Sequence, residues 1–165
     1  SDHGYNLGEH DCWAKTSLWE GTVRVPLVIS VPGMEKTYGV KCESIAELID
    51  LYPTLVELGG YADEAPEILQ GESLVKYIEK GNLVDNDAEA FTITNRGNAG
   101  TLVFGKYRYT RWGEDINSGN EELYNHESDP EELENLVGHP DQNKLIEEMR
   151  KRFNLAKKRS LKSIQ

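Results

Sequence analysis

Apolar positions along this chain fall into short, well-separated groups with distinct periods. Val25-Pro26-Leu27-Val28-Ile29-Ser30-Val31 is nearly continuous and rich in β-branched residues, the pattern of a strand covered on both faces. Pro32-Gly33 ends it as a turn, and Val40 to Cys42 forms a second, shorter extended piece. Ser44 and Glu47 have the spacing of a helix capping box. Ile45, Leu48, Ile49, Tyr52, Leu55, Val56 and Leu58 then recur at helical spacing until Gly59-Gly60. Pro53 sits badly inside such a helix. A start near Asp50 puts it in the first turn, where backbone N–H groups lack partners anyway; the alternative is a kink.

Beyond residue 60 the pattern changes. Residues 61–72 are polar and contain a proline, as a surface loop would, and Ser73 to Lys80 makes a short helix that stops at Gly81. Ala90–Thr94 and Thr101–Phe104 are strand-like; Gly105-Lys106 is a turn; Tyr107 to Trp112 alternates Tyr and Arg in strand fashion. Glu122-Leu123-Tyr124 is a short strand before the acidic turn at Ser128-Asp129-Pro130. Asn143 to Leu155 is the clearest amphipathic helix, with Leu145, Ile146, Met149 and Phe153 on one face, and the Lys157–Lys162 cluster follows as its solvated end.

Composition narrows the function classes. With 165 residues the chain is long enough for a real core, and 38% hydrophobic against 28% charged residues is ordinary for a globular protein. The net charge of -11 argues against nucleic acid and anionic membranes as partners, since both require a positive field. An anionic substrate would need local cations. No apolar stretch approaches the roughly 18 residues of a membrane span. Cys12 and Cys42 make neither a disulfide framework nor a zinc site, and are expected as buried thiols.

The densest chemistry lies in the first fifteen residues. Asp2, His3, His10 and Lys15 bring a carboxylate, two imidazoles and an ammonium into a polar, Gly-punctuated segment just ahead of the apolar run. Loops fixed to a rigid sheet are where chemistry concentrates. A loop of this kind with no strand leading into it suggests part of a larger protein carrying half an active site.

Several ordered runs resemble the second half of type I, formylglycine-dependent sulfatases of the alkaline phosphatase superfamily, and most nearly their iduronate-2-sulfatase-like branch. They are Ser1-Asp2-His3-Gly4, Leu7-Gly8-Glu9-His10, Trp13-Ala14-Lys15, Trp19-Glu20 and Arg24-Val25-Pro26-Leu27, followed by Asp50-Leu51-Tyr52-Pro53-Thr54-Leu55 and Gln70-Gly71-Glu72-Ser73-Leu74. Tyr107-Arg108-Tyr109-Thr110-Arg111-Trp112, Glu122 through Pro130 and Glu134-Asn135-Leu136 complete the likeness. The resemblance implies an α/β fold: the C-terminal portion of a sulfatase or alkaline-phosphatase-like fold, with strands of a mixed sheet, then a small antiparallel sheet packed with a C-terminal helix. Residues 1–60 would belong to the main α/β domain and 61–165 to a small C-terminal subdomain.

For the site, the resemblance implies Asp2 and His3 as metal ligands, with His3 also near the chemistry, and Lys15 as the sulfate-binding, catalytic lysine. The cofactor would be Ca²⁺. Nitrogen is a poor partner for that ion, so His3 could instead hydrogen-bond a sulfate oxygen or the nucleophile. His10 is a candidate substrate contact, and Arg96 a candidate partner for a uronic acid carboxylate. Trp13 is either a pocket wall or packing beneath the loop. Glu20 and Arg24 look like a structural pair, Tyr107, Tyr109 and Trp112 like sheet packing, and no chemistry is expected of His126 or His139. The formylglycine motif Cys/Ser-x-Pro/Ala-x-Arg does not occur, so formylglycine is expected only in a missing N-terminal half. The expected substrate is a sulfated carbohydrate such as a glycosaminoglycan, and the expected location the periplasm or the cell exterior. Two other readings stay open: a phosphonate monoester or phosphodiester hydrolase of the same superfamily, and a noncatalytic remnant or binding module.

Overall fold

Strands β3 (Glu89–Thr94), β4 (Ala99–Phe104), β5 (Tyr107–Arg111) and β6 (Glu121–Asn125) pair antiparallel in that order, and the long C-terminal helix packs on one face of the sheet they form. The computed structural model describes residues 1–81, 85–94 and 98–162. Ahead of the sheet come a two-stranded hairpin, β1 (Asn6–Leu7) with β2 (Trp13–Ala14), and three helices: α1 (Glu20–Val23), α2 (Leu51–Leu58) and α3 (Val75–Lys80). The C-terminal helix, α4, spans Asn143–Lys162. Two compact units result, Ser1–Pro26 with Glu89–Gln165, and Leu27–Ala88, so the units cut across residue 60. Among the described residues no helix is long and apolar enough to cross a membrane.

In the first unit the period-2 alternation of the strands meets the 3.6-residue period of α4. Leu102, Tyr109 and Leu123 face Ile146, Met149, Phe153 and Ala156 in one buried cluster, and Phe153 meets Phe91 and Tyr109 edge-on, with ring centroids 5.2 and 5.5 Å apart. On that same face Glu121 is almost wholly buried, held by Arg150 at 2.5 Å and by the Tyr109 hydroxyl. Burial pushes the Glu121 carboxyl up, but those donors outweigh it and keep it below the usual carboxylate range. Arg108, Thr110, Tyr124 and His126 alternate with these residues and so belong to the opposite face.

In the second unit Pro53 falls in the first turn of α2, as a start near Asp50 requires, and the helix ends at Gly59, followed by left-handed Gly60 (φ 80°). The capping box is formed by Glu47 and Asp50 rather than by Ser44 and Glu47. The Asp50 carboxylate accepts the Glu47 and Glu72 N–H groups, both at 2.8 Å, and Thr54 Oγ1 accepts the Leu74 N–H at 2.8 Å. That leaves Asp50 with a structural role.

The expected strand over Val25–Val31 is not formed. Among the described residues the segment has no ladder partner, and Leu27 and Val28 are exposed. Continuous apolar sequence makes a buried strand only where neighbouring strands cover it, and among the described residues none lies alongside. Val40–Cys42 likewise joins no sheet. The expectation of buried thiols also fails, since Cys12 is half-buried and Cys42 exposed; the two do not form a disulfide.

Candidate functional site

The loop from Ser1 to Leu18 is fastened to α1 at several points. The Gly4 N–H donates to the Thr22 carbonyl at 2.8 Å. Asn6, nearly fully buried, donates to Ser17 Oγ at 3.2 Å; that hydroxyl lies 2.9 Å from Thr22 Oγ1 and accepts the Trp19 N–H at 3.2 Å. Within the hairpin, His10, Asp11 and Ala14 all take positive φ (53°, 54° and 85°), conformations that cost free energy for residues with a Cβ. Such strain persists only where the surroundings over-determine the backbone. Here they do so partly through the His10 ring, which stacks on the Trp19 indole at 3.9 Å and 4°. Trp19 in turn meets Trp112 and Tyr124 at 5.6 and 5.8 Å.

Asp2 and His3 lie side by side at the loop's start. His3 Nδ1 is 2.8 Å from the Gly4 carbonyl oxygen. A carbonyl can only accept, so Nδ1 carries the proton, and in the neutral ring Nε2 keeps its lone pair. Nε2 is 3.5 Å from Asp2 Oδ2. The Asp2 carboxyl is held below the usual range by its own backbone N–H, by the His3 ring and, at longer range, by the Lys15 ammonium. Lys15 is exposed, so its amine is available to an anion. Asp2 and His3 are thus adjacent, and the pairing of Asn6 with Ala14 brings the chain back so that Lys15 follows on the neighbouring strand.

This donor set suits a divalent cation in part. The Asp2 oxygens match a hard ion such as Ca²⁺, and His3 Nε2 offers a weaker nitrogen donor beside them. Two donors are fewer than the six to eight that Ca²⁺ takes, so these side chains would contribute only a share of its shell. A second group of potential ligands, Glu20, His126 and Glu132, has its donor atoms within 4.8 Å of one another. That group already holds a cation. The buried Arg108 guanidinium pairs with Glu20 and lies 2.5 Å from Glu132 Oε1, which also contacts His126 Nε2 at 2.8 Å. The Arg108 Nε–H is not directed at that oxygen, so this contact is chiefly coulombic. Burial pulls the Arg108 pKa down while the Glu132 charge pushes it back up, and a guanidinium between two carboxylates stays cationic. A divalent ion there would face a buried positive charge, so this group does not fit a metal.

The remaining expectations divide. Arg96 lies outside the described residues. His10 joins the loop's aromatic stack, in the same hairpin as Lys15. Trp13 is 73% exposed and rests its ring over Gly8, which excludes packing beneath the loop. Glu20 pairs with Arg24 at 3.2 Å, as anticipated, but its more buried partner is Arg108. His126, expected to be inert, belongs to the buried ionic group. Sequence reasoning missed that group because Glu20 and Glu132 are 112 positions apart and no local period links them. The available signal was Arg108 itself, a charged residue at an interior strand position that a covered sheet face would have to pair.

Comparison with known proteins places this geometry in a family. Residues 8–159 match the family model of the N-sulphoglucosamine sulphohydrolase C-terminal region. The chain is 38% identical over 132 residues to a sulfatase of Formosa agariphila, covering 80% of this chain and 24% of that protein. It is 34% identical over 146 residues to a choline-sulfatase of Rhizobium meliloti, covering 85% of this chain and 26% of the relative. The chain thus spans about a quarter of the length of these relatives. A crystal structure of a putative sulfatase from Bacteroides fragilis superposes with a TM-score of 0.80 at 24% identity, over 96% of this chain and 34% of that one. The four-stranded antiparallel sheet with its C-terminal helix is thus shared with sulfatases, and the chain belongs to the sulfatase family, as a member of its N-sulphoglucosamine sulphohydrolase C-terminal group.

Proposed function

We propose that this chain forms one wall of the active site of a sulfuric ester hydrolase acting on a sulfated carbohydrate. The observation that carries the reading is geometric: Asp2 and His3 lie side by side, and the β1–β2 hairpin, which pairs Asn6 with Ala14, turns the chain back so that the exposed Lys15 follows on the strand beside them. Asp2, assisted by His3, would hold a calcium ion, which when bound supplies positive charge to orient and polarise the sulfate group. Lys15 would place an ammonium against the sulfate oxygens and stabilise the charge that builds on them and on the leaving oxygen. His3, with its proton fixed on Nδ1, would present Nε2 to the same region. His10 would contact the sugar or its sulfate from the hairpin, and Arg96 a uronic acid carboxylate. The iduronate-2-sulfatase-like branch is the proposed specificity.

The nucleophile, a formylglycine, would come from a protein half outside these 165 residues. Within that larger enzyme, residues 1–60 would belong to the main domain and 61–165 to a C-terminal subdomain. A periplasmic or extracellular setting is proposed with it.

The test uses the full-length protein and compares turnover of an aryl sulfate with that of an aryl phosphodiester. The reading expects preference for the sulfate, and a loss of more than about tenfold in kcat/KM on Lys15→Ala, the order expected for removing one transition-state donor. Faster phosphodiester turnover would establish a phosphodiester hydrolase instead. Lys15→Ala activity within tenfold of wild type would remove Lys15 from the reaction.

A further inference from the structure

The loop that carries Asp2, His10 and Lys15 is held by one buried carboxylate, on the face of the sheet opposite α4. Glu132 follows the turn at Ser128-Asp129-Pro130, and its side chain is 1% exposed. Its Oε2 accepts the Glu20 N–H at 2.9 Å. That N–H opens α1, where no local side chain caps the helix, so Glu132 acts as a cap supplied from 112 residues away. Its Oε1 meets Arg108 and His126. Arg108 completes the grip by donating to the Leu18 carbonyl at 3.2 Å and to Thr101 Oγ1 at 3.3 Å, and by pairing with Glu20. Leu18 and Glu20 flank Trp19, so the indole is fixed from both sides along the backbone. His10 stacks on that indole, and Gly4, next to His3, is hydrogen-bonded to Thr22 in α1.

Glu132 itself stands at φ 58°, in the left-handed region that favours glycine. A residue serving only the turn would gain by being glycine. The long carboxylate is therefore maintained against a local backbone cost, and what it reaches is the base of the candidate site.

We propose that Glu132 is a positioning residue for this site: through the Glu20 N–H and Arg108 it fixes Trp19 and α1, and through them the placement of His10 and of the Asp2-His3 segment. The proposal rests on the site reading given above only for its effect on turnover; its effect on His10 is separate. The cluster tolerates the probe substitution, because Glu132→Gln leaves the buried Arg108 paired with Glu20.

The test is NMR of the full-length protein labelled in its histidine rings, with His10 identified by the resonances lost in His10→Gln. Stacking on Trp19 displaces the His10 ring protons upfield through the indole ring current. In Glu132→Gln and in Glu132→Gly that displacement is expected to fall by about half or more, as the indole loosens beneath the imidazole. Thermal melts and the core resonances of Tyr109 and Phe153 check that the fold is intact. Arg108→Lys, which keeps the charge but loses the planar fork, is expected to behave like Glu132→Gln. If Glu132 serves only its own turn, Glu132→Gly relieves strain, melts higher and keeps the wild-type displacement; that result overturns the proposal. An unchanged His10 displacement in Glu132→Gln together with Arg108→Lys does so as well. Where the sulfatase reading holds, Glu132→Gln also lowers kcat/KM by about tenfold, the order seen when outer supports of a site are removed. Absent sulfatase activity with a reduced His10 displacement would overturn the functional reading while leaving Glu132 in its positioning role.

Discussion

Gly4 and Thr22 hold the start of the site loop against α1: the Gly4 N–H donates to the Thr22 carbonyl at 2.8 Å, and the two backbones come so close that a Cβ on Gly4 would lie 1.9 Å from the Gly21 carbonyl oxygen. The obstacle is backbone, which cannot rotate aside. Gly4→Ala is expected to break this hydrogen bond, shift Asp2 and His3 away from α1 and destabilise the protein by roughly 2–3 kcal/mol. Denaturant unfolding gives the stability change, and calcium titration shows whether the segment proposed to bind the metal has moved.

Glu122 is a half-buried carboxylate that the fold does not need in charged form. Burial raises its pKa; a Trp112 hydrogen bond lowers it only in part, and the nearby Glu132 charge adds to the rise. One of its oxygens is buried without a hydrogen-bond partner. A carboxyl raised in the folded state contributes fully below its unfolded value of 4.5, and that contribution is lost as pH rises through the folded value. Glu122→Gln is therefore expected to be more stable than wild type at neutral pH by roughly 1 kcal/mol. The difference should vanish in melts below about pH 4, where the wild-type residue is also neutral.

Tyr109 gives the opposite end of the pH scale. Burial, reinforced by the Glu121 carboxylate, pushes its phenol up to about 12, while Arg111 pulls the other way. Its stabilising effect is complete below the ordinary value near pH 10 and is lost between there and about pH 12. Two units correspond to roughly 3 kcal/mol. Subtracting the melting profile of Tyr109→Phe from that of wild type should isolate this slope, and a flat difference above pH 10 would contradict it.

Asp2 is the side chain with most to lose at a calcium site. Asp2→Asn removes the formal charge but keeps one oxygen, and should weaken Ca²⁺ binding to the full-length protein by about tenfold or more. His3→Gln should cost less if His3 contributes only a nitrogen donor to a hard ion. Calorimetric titration after chelation measures both. A larger loss for His3 than for Asp2 would reverse their assigned roles.

Elements whose stabilising contacts are local were legible along the chain. The α4 face of Leu145, Ile146, Met149 and Phe153 appears as its period places it, because those side chains share one stripe whatever they pack against. The Tyr and Arg alternation of Tyr107–Trp112 likewise marks β5, whose two faces differ as the pleat demands. Val25–Val31 misled for the converse reason: an apolar run becomes a strand only if another strand pairs with it, and that condition is not written in the run itself. The site was half-legible. Asp2, His3, His10 and Lys15 stand out as reactive groups within fifteen residues, yet nothing local shows that His10 lies on Trp19 or that Lys15 acts on Asp2.

The sequence by itself determined which side chains could do chemistry and the periods that make the sheet and its helix, since both depend on interactions within a few residues or along one face. Only the tertiary structure decided how the reactive loop is held, because Glu132, Arg108 and Glu20 meet across separations of 88 and 112 positions. Buried charges must find partners wherever the folded chain brings them, and that proximity is a property of the packing of the whole sheet.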